Sequence, residues 1–384
     1  MTKQTKLLLV LLLIIGISLT SCKGDEKKSS GTEKQEVKNE RIKVGGLFSL
    51  TGGASAYGED LKKGTELAFS ELNNNKKYEL IIRDTKSDKK EALKSFEDLV
   101  NVNKVNAILG PTISPNAMLL GDYADQYEVP MIVQAATQDG ITKNKKYVTR
   151  ICFNDSFQGK ALANFAHNDL NLKKAVIIYD KSISYSVGLA DSFKNSFEKN
   201  GGKVISEESY SVNDRDFRAL IDKVSNYDAD VLFIPGWDEN VGPMMRQAKN
   251  KWNKFVILGG DGWPTDKLFE LSGGNLHNVY ALAHFNPVGG DKKVDEFIKK
   301  YKAKYNKAPS PHAALGYDAV YLLDKAVNSI DGDITPKKIN DKIKAIKSIN
   351  LVTGKIEFKN GEAVKSGVIL KLTKNGYEFV KTVN

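Results

Sequence analysis

From Lys43 onward, short apolar runs alternate with longer segments of helical periodicity, and the alternation happens twice. In the first run, strands at Lys43–Leu50, Tyr78–Arg83, Asn106–Leu109 and Val129–Val133 are separated by helices at Glu59–Asn73, Asp88–Val102 and Ser114–Tyr127. Apolar residues recur on one stripe of these helices: Leu61, Ala68 and Leu72 in the first, Ala92, Phe96 and Leu99 in the second. After Asp155 the pattern restarts. Helix Gln158–Leu170, strand Ala175–Tyr179, a helix through Phe197, strand Val204–Ser206, helix Phe217–Val224, strand Val231–Ile234, helix Val241–Asn250 and strand Phe255–Leu258 follow. Strands spaced by helices of this length form βαβ units and parallel sheets. Two successive runs therefore predict an α/β protein of two doubly wound lobes. The last third adds a strand near Val279–Phe285, helices at Val294–Tyr305, Ala313–Ile330 and Lys337–Ile346, and β segments at Gly354–Phe358, Val368–Leu372 and Tyr377–Lys381.

The N-terminus carries different information. Lys3 and Lys6 precede an apolar run, Leu7 to Leu19, that is short for a bilayer span of about 20 residues. A positive start, an apolar centre and a small-residue end fit an export signal over residues 1–21. It closes on Leu19-Thr20-Ser21-Cys22, which resembles a bacterial lipobox, with Cys22 the lipidated residue. Residues 22–41 are then a lipidated cysteine and a polar tether, too poor in apolar side chains to order itself.

About 340 residues remain, more than one core usually serves. Cys152 is the one cysteine left once Cys22 is lipidated, so no internal disulfide is expected. Its apolar flanks predict a buried, inert thiol. The net charge of +10 does not indicate nucleic acid: the chain has only six arginines, the preferred base reader, and its lysines are scattered among acids on predicted helices.

In open α/β sheets, ligands bind beyond the carboxyl ends of the strands. In the first run those ends lead into Thr51-Gly52-Gly53 and Tyr57, into Gly110-Pro111-Thr112-Ile113-Ser114, and into Gln134-Ala135-Ala136-Thr137. They offer hydroxyls and N–H groups at a helix start, which suit an anion. In the second run they lead to Tyr185, to Trp237 and to Gly260-Asp261-Gly262. These offer aromatics and a carboxylate, which suit an ammonium group and an apolar side chain. A ligand with both charges close together is an α-amino acid. Ser114, Ala135, Ala136 and Thr137 would hold its carboxylate and Asp261 its ammonium. Each residue also has a plainer role available: Ser114 as a helix cap, Thr137 and Asp261 as turn residues, the aromatics as packed loop residues.

The chain resembles the type I periplasmic binding proteins of the Leu/Ile/Val group, the receptors of branched-chain amino acid ABC transporters. The carrying stretches are Ile42-Lys43-Val44-Gly45, Thr51-Gly52, Tyr57-Gly58, Arg83-Asp84, Ile108-Leu109-Gly110-Pro111, Val129-Pro130-Met131-Ile132, Leu258-Gly259-Gly260-Asp261-Gly262 and Leu315-Gly316-Tyr317-Asp318-Ala319-Val320. The resemblance implies two lobes joined by three crossovers near Asn154, Phe285 and Asn350. Lobe one would then hold residues 42–154 and 285–350, and lobe two 155–284 and 351–384. It implies Ser114, Ala135 and Thr137 as carboxylate clamp, Asp261 as ammonium acceptor, and Tyr57, Tyr185 and Trp237 as ligand walls. It implies a monomer without cofactor, tied to the membrane by its lipid only and handing its ligand to permease subunits. Four departures stand out: Val133-Gln134 replaces the usual Ser-Pro, one extra residue lies between Asp180 and Tyr185, the lobe-one disulfide of some members is missing, and Trp237 is bulkier than the usual aromatic.

Other functions are less well served. Thr51-Gly52-Gly53 lacks the Lys-Ser/Thr of a phosphate loop. The histidines, His167, His277, His284 and His312, show no metal spacing, and His167 reads as a helix-surface residue. These points argue against an enzyme. A sensory receptor of the same fold, or a binder of amides or urea, are the alternatives within it.

Overall fold

The computed structural model describes residues 41–73 and 77–384. The export segment, Cys22 and the tether up to Glu40 lie outside the described residues. Arg41–Asn384 forms one compact unit.

Strands β1 (Ile42–Phe48), β2 (Tyr78–Asp84), β3 (Ala107–Leu109), β4 (Met131–Val133) and β5 (Val148–Arg150) form one sheet. Its order is β2-β1-β3-β4-β5, and every pairing is parallel. The three short strands β3, β4 and β5 are buried along their whole length. Strands covered on both faces have no polar alternation to show, which is why they read as plain apolar runs.

Strands β6 (Lys174–Asp180), β7 (Lys203–Tyr210), β8 (Val231–Phe233), β9 (Val256–Gly259) and β10 (Val279–Ala283) repeat the pattern in a second sheet. After β10 come β11 (Ser348–Leu351), β12 (Gly354–Lys359) and β13 (Glu362–Val364), a small separate antiparallel sheet. Strands β14 (Gly367–Thr373) and β15 (Gly376–Val383) then extend the second sheet antiparallel beyond β10. The second sheet runs β15-β14-β10-β9-β8-β6-β7. Read from β7 to β10, it has the strand order of the first sheet. Each sheet therefore reverses winding at one point, between β1 and β3 and between β6 and β8, and a ligand crevice belongs there.

Four apolar cores fill the faces of the two sheets. Val44, Phe48 and Leu109 pack on one face of the first, Leu47, Ile108 and Met131 on the other. Ile177 and Phe233 pack on one face of the second, Val176, Ile178 and Leu232 on the other.

The tail differs from the expected boundary. Ile349, Leu351, Val352, Ile356 and Ala363 all sit in the core of the first lobe. Arg150 donates its backbone N–H to the Gly361 carbonyl at 2.8 Å. The chain therefore stays with the first lobe past Asn350 and crosses near Lys365, just before β14. Alternating burial in β11 is too brief to signal this from sequence.

The best-packed helix pair is Ser55–Leu72 against Pro311–Val327. A Cβ on Gly64 would lie 1.8 Å from the Ala313 carbonyl oxygen, and one on Gly316 2.2 Å from that of Leu61. The glycines let the two backbones touch. Helix Ser55–Leu72 begins before the expected Glu59, and this places Tyr57 in its first turn.

Candidate functional site

Seven of the eight sequence-predicted residues line one cavity between the lobes: Tyr57, Ser114, Ala135, Thr137, Tyr185, Trp237 and Asp261. Thr112, Ile113, Gly262 and His312 complete it. A larger groove lined by Phe153, Phe157, Lys355 and Asn384 lies along the crossover segments and holds no comparable convergence of polar groups from both lobes.

The first lobe supplies a helix start and the hydroxyls of Ser114 and Thr137 to the cavity. Ser114 opens helix Ser114–Gln126, but it does not cap it: Ile113 stands at the cap position without a side-chain bond. The Ser114 hydroxyl instead accepts from the Gln138 N–H at 3.2 Å. The first helical N–H with an intrahelical partner is that of Ala117, bonded to Ile113. The N–H groups before it have no intrahelical partner, Ser114 lines the cavity, and the helix dipole favours negative charge at this end. Pro115 contributes no N–H there and is suited to a first turn.

The loop after β4 is held from behind. Arg150 is fully buried and donates from Nη1 to the carbonyls of Ala136 at 3.1 Å and Gln138 at 2.7 Å. The Cys152 thiol donates to the same Ala136 carbonyl at 3.3 Å, and its burial pushes the thiol well above its ordinary value. Ala136 therefore lies behind the cavity and does not line it. Gln134, where Ser-Pro is usual in the resembled family, is buried and donates to the Thr65 hydroxyl at 3.3 Å.

The second lobe supplies a fixed carboxylate. Asp261 is 3% exposed. Its Oδ1 accepts from the Tyr185 hydroxyl at 3.3 Å and its Oδ2 from His284 Nε2 at 2.8 Å. Its own N–H donates to Gln158 Oε1 at 2.6 Å. Burial is the largest single influence and opposes its charge, but the His284 bond, the two neighbouring histidines and Gln158 together outweigh it and hold the carboxyl below its usual range. Burial pushes His284 down to about 4, so its ring is neutral and donates from Nε2 near neutral pH. Gly260 is required here, since a Cβ would lie 2.4 Å from the Tyr185 hydroxyl.

The two halves are wired together. Asp155 donates its N–H to the Thr137 carbonyl at 2.9 Å, and Gln158, one turn later, bonds both Asp155 and Asp261. The lobes also touch directly. Tyr57 Oη accepts the Asp238 N–H at 2.9 Å, Ser184 donates to Gln138 at 2.7 Å, and Lys307 pairs with Asp266 at 2.8 Å. Ala54, Tyr57 and Ile113 of the first lobe pack into a second-lobe core. This is a closed arrangement.

Sequence reasoning overlooked His284, His312, Gln158 and Asp238. The histidines were weighed for metal spacing alone, and nothing local marks them as cavity groups. Asp238 follows Trp237 and is fully buried. Thr265 donates to its Oδ2 at 2.8 Å, while Oδ1 has no partner. Burial raises this carboxyl to about 7. Its folded value thus exceeds its unfolded one, so its stabilising contribution is complete below about 3.8 and is lost as pH rises through about 7. Asp238→Asn should therefore gain on the native chain by about 2 kcal/mol between pH 5 and pH 8. Urea unfolding at both pH values checks this, and a difference that does not change with pH refutes it.

Residues 41–377 match the family model described as periplasmic binding protein. The leucine-, isoleucine-, valine-, threonine-, and alanine-binding protein of Pseudomonas aeruginosa is 26% identical over 336 residues, which cover 86% of this chain and 88% of that relative. The branched-chain amino acid transporter substrate binding protein LivJ of Streptococcus pneumoniae, solved in complex with isoleucine, is 32% identical with a TM-score of 0.85, covering 90% of this chain and 99% of that one. The leucine binding protein LivK of Thermotoga maritima is 31% identical with a TM-score of 0.84, covering 89% and 99%.

Proposed function

The chain belongs to the periplasmic binding protein family, and from that premise we propose that it closes on an α-amino acid outside the cytoplasm and presents it to the permease of an ABC transporter. The family is one of substrate-binding proteins and not of enzymes, and an extracytoplasmic place goes with it. One observation carries the reading of the site. A buried, ionised carboxylate on one lobe faces a hydroxyl-lined helix start on the other, across a single small cavity.

A zwitterion satisfies both ends at once. Its ammonium bonds Asp261, and its carboxylate bonds Ser114, Thr137 and the N–H groups beside them. Neither lobe alone offers both charges, so the ligand binds the closed state more tightly than the open one. That difference is what shifts the lobes, because equal affinity would shift nothing. The solved relative with isoleucine bound supports an amino-acid ligand. Lipidation at Cys22, a tether to Arg41 and a monomeric state complete the proposal, with lobe one formed by residues 42–154 and 285 to about 364.

Calorimetry on Arg41–Asn384 tests the reading with free amino acids, their α-amides and their N-acetyl derivatives. At least one free amino acid should bind, and capping either charge should weaken it by about 100-fold or more. Amides or urea binding as tightly as every free amino acid would remove the zwitterion clamp.

A further inference from the structure

His312 stands on the cavity wall with no task in holding the zwitterion. It is the second residue of helix Pro311–Val327 and is 2% exposed. Its ring stacks on Tyr57 with centroids 4.9 Å apart. Its Nδ1 is buried and has no hydrogen-bond partner. The residue lines the cavity, and among the described residues no group bonds either ring nitrogen, which leaves the ring's hydrogen-bonding capacity to a partner that the ligand brings. Burial holds the ring below its ordinary value, and a neutral imidazole offers one donor and one acceptor.

The surroundings narrow that partner. Trp237 crosses from the other lobe until its indole lies 3.7 Å from where a Cβ on Gly53 would sit. With Tyr57 and Tyr185 it lines the same cavity as His312. Asp261 and Asp60 both act electrostatically on the His312 ring. Their negative charge disfavours an acidic side chain. A hydroxyl or a carboxamide fits, because each is neutral and both donates and accepts.

We propose that His312 turns the side-chain end of the cavity into a hydrogen-bonding subsite, so that the protein selects threonine, serine or asparagine over leucine, isoleucine and valine. This rests on the amino-acid reading above and names the substrate within it. A site that hydrogen-bonds a ligand group rejects the isostere lacking it far more strongly than an apolar pocket rejects an added hydroxyl.

Two near-isosteric pairs provide the test: threonine against valine, and asparagine against leucine, titrated calorimetrically into Arg41–Asn384. In at least one pair the polar member should bind about tenfold or more tightly. His312→Phe should abolish that preference. His312→Gln, which keeps a donor and an acceptor, should retain it and guards against a folding defect in the phenylalanine variant. A weaker preference in both pairs overturns the inference and leaves amino-acid binding intact. So does a preference that survives in His312→Phe. Failure of all twenty amino acids to bind overturns both readings.

Discussion

Asp261→Asn should lose amino-acid binding by about a thousandfold while the protein still folds. The carboxylate is buried, and its two oxygens already accept from Tyr185 and His284. Among the described residues its one basic partner, His284, is neutral near neutral pH, and the ligand ammonium would be the missing cation. Removing one partner of a buried, hydrogen-bonded charge pair costs about 3–5 kcal/mol, because the other charge stays desolvated and unpaired. At about 1.4 kcal/mol per tenfold, that is roughly two to four decades in Kd. The free protein loses little, since an amide keeps one acceptor and no longer carries a buried charge. Calorimetry and thermal melting together check this. The ligand-induced rise in Tm should vanish while the ligand-free Tm stays near the parent's. Binding within tenfold of the parent would show that the ammonium sits elsewhere.

Gly64→Val should be strongly destabilising. A Cβ there would meet the Ala313 carbonyl oxygen at 1.8 Å, and that oxygen is backbone with no rotamer to escape into. The helices must separate or tilt. Overpacking usually costs about 1–3 kcal/mol, and a backbone clash belongs at or above the upper end. The effect reaches the site, because these same helices present Tyr57 and His312, which stack on each other. Ligand affinity should therefore fall with stability. Urea unfolding measures the first and calorimetry the second. A variant within about 1 kcal/mol of the parent would mean that the helix contact is far more compliant than its geometry implies.

The fold was legible because α/β architecture writes itself in one dimension. Short buried strands such as β3, β4 and β8 are unbroken apolar runs, and the helices between them carry apolar stripes. Weak elements were not legible. Strand β5 has three residues and β13 three, so neither shows a period. The late crossing near Lys365 was missed because β11 to β13 are brief and antiparallel, and their attachment to the first lobe depends on contacts such as Arg150 with Gly361.

The site was half legible for a related reason. Strand ends mark where ligands go, so Ser114, Thr137, Tyr185, Trp237 and Asp261 were found by position along the chain. Ser114 as a cap was a local guess, and the tertiary structure replaced it with a bond to Gln138 from another loop. Ala136 looked like its neighbours in sequence, yet its carbonyl turns inward to Arg150 and Cys152.

The chain by itself determined its two-lobed α/β character and which loops line the cavity, because these follow from periodicity and the order of elements. Only the tertiary structure decided which side chains meet. His284 behind Asp261, Gln158 between the lobes and His312 over Tyr57 are brought together from distant segments by packing. Their burial, and with it their charge state and hydrogen-bonding capacity, is a property of the folded surroundings and leaves no mark on the local sequence.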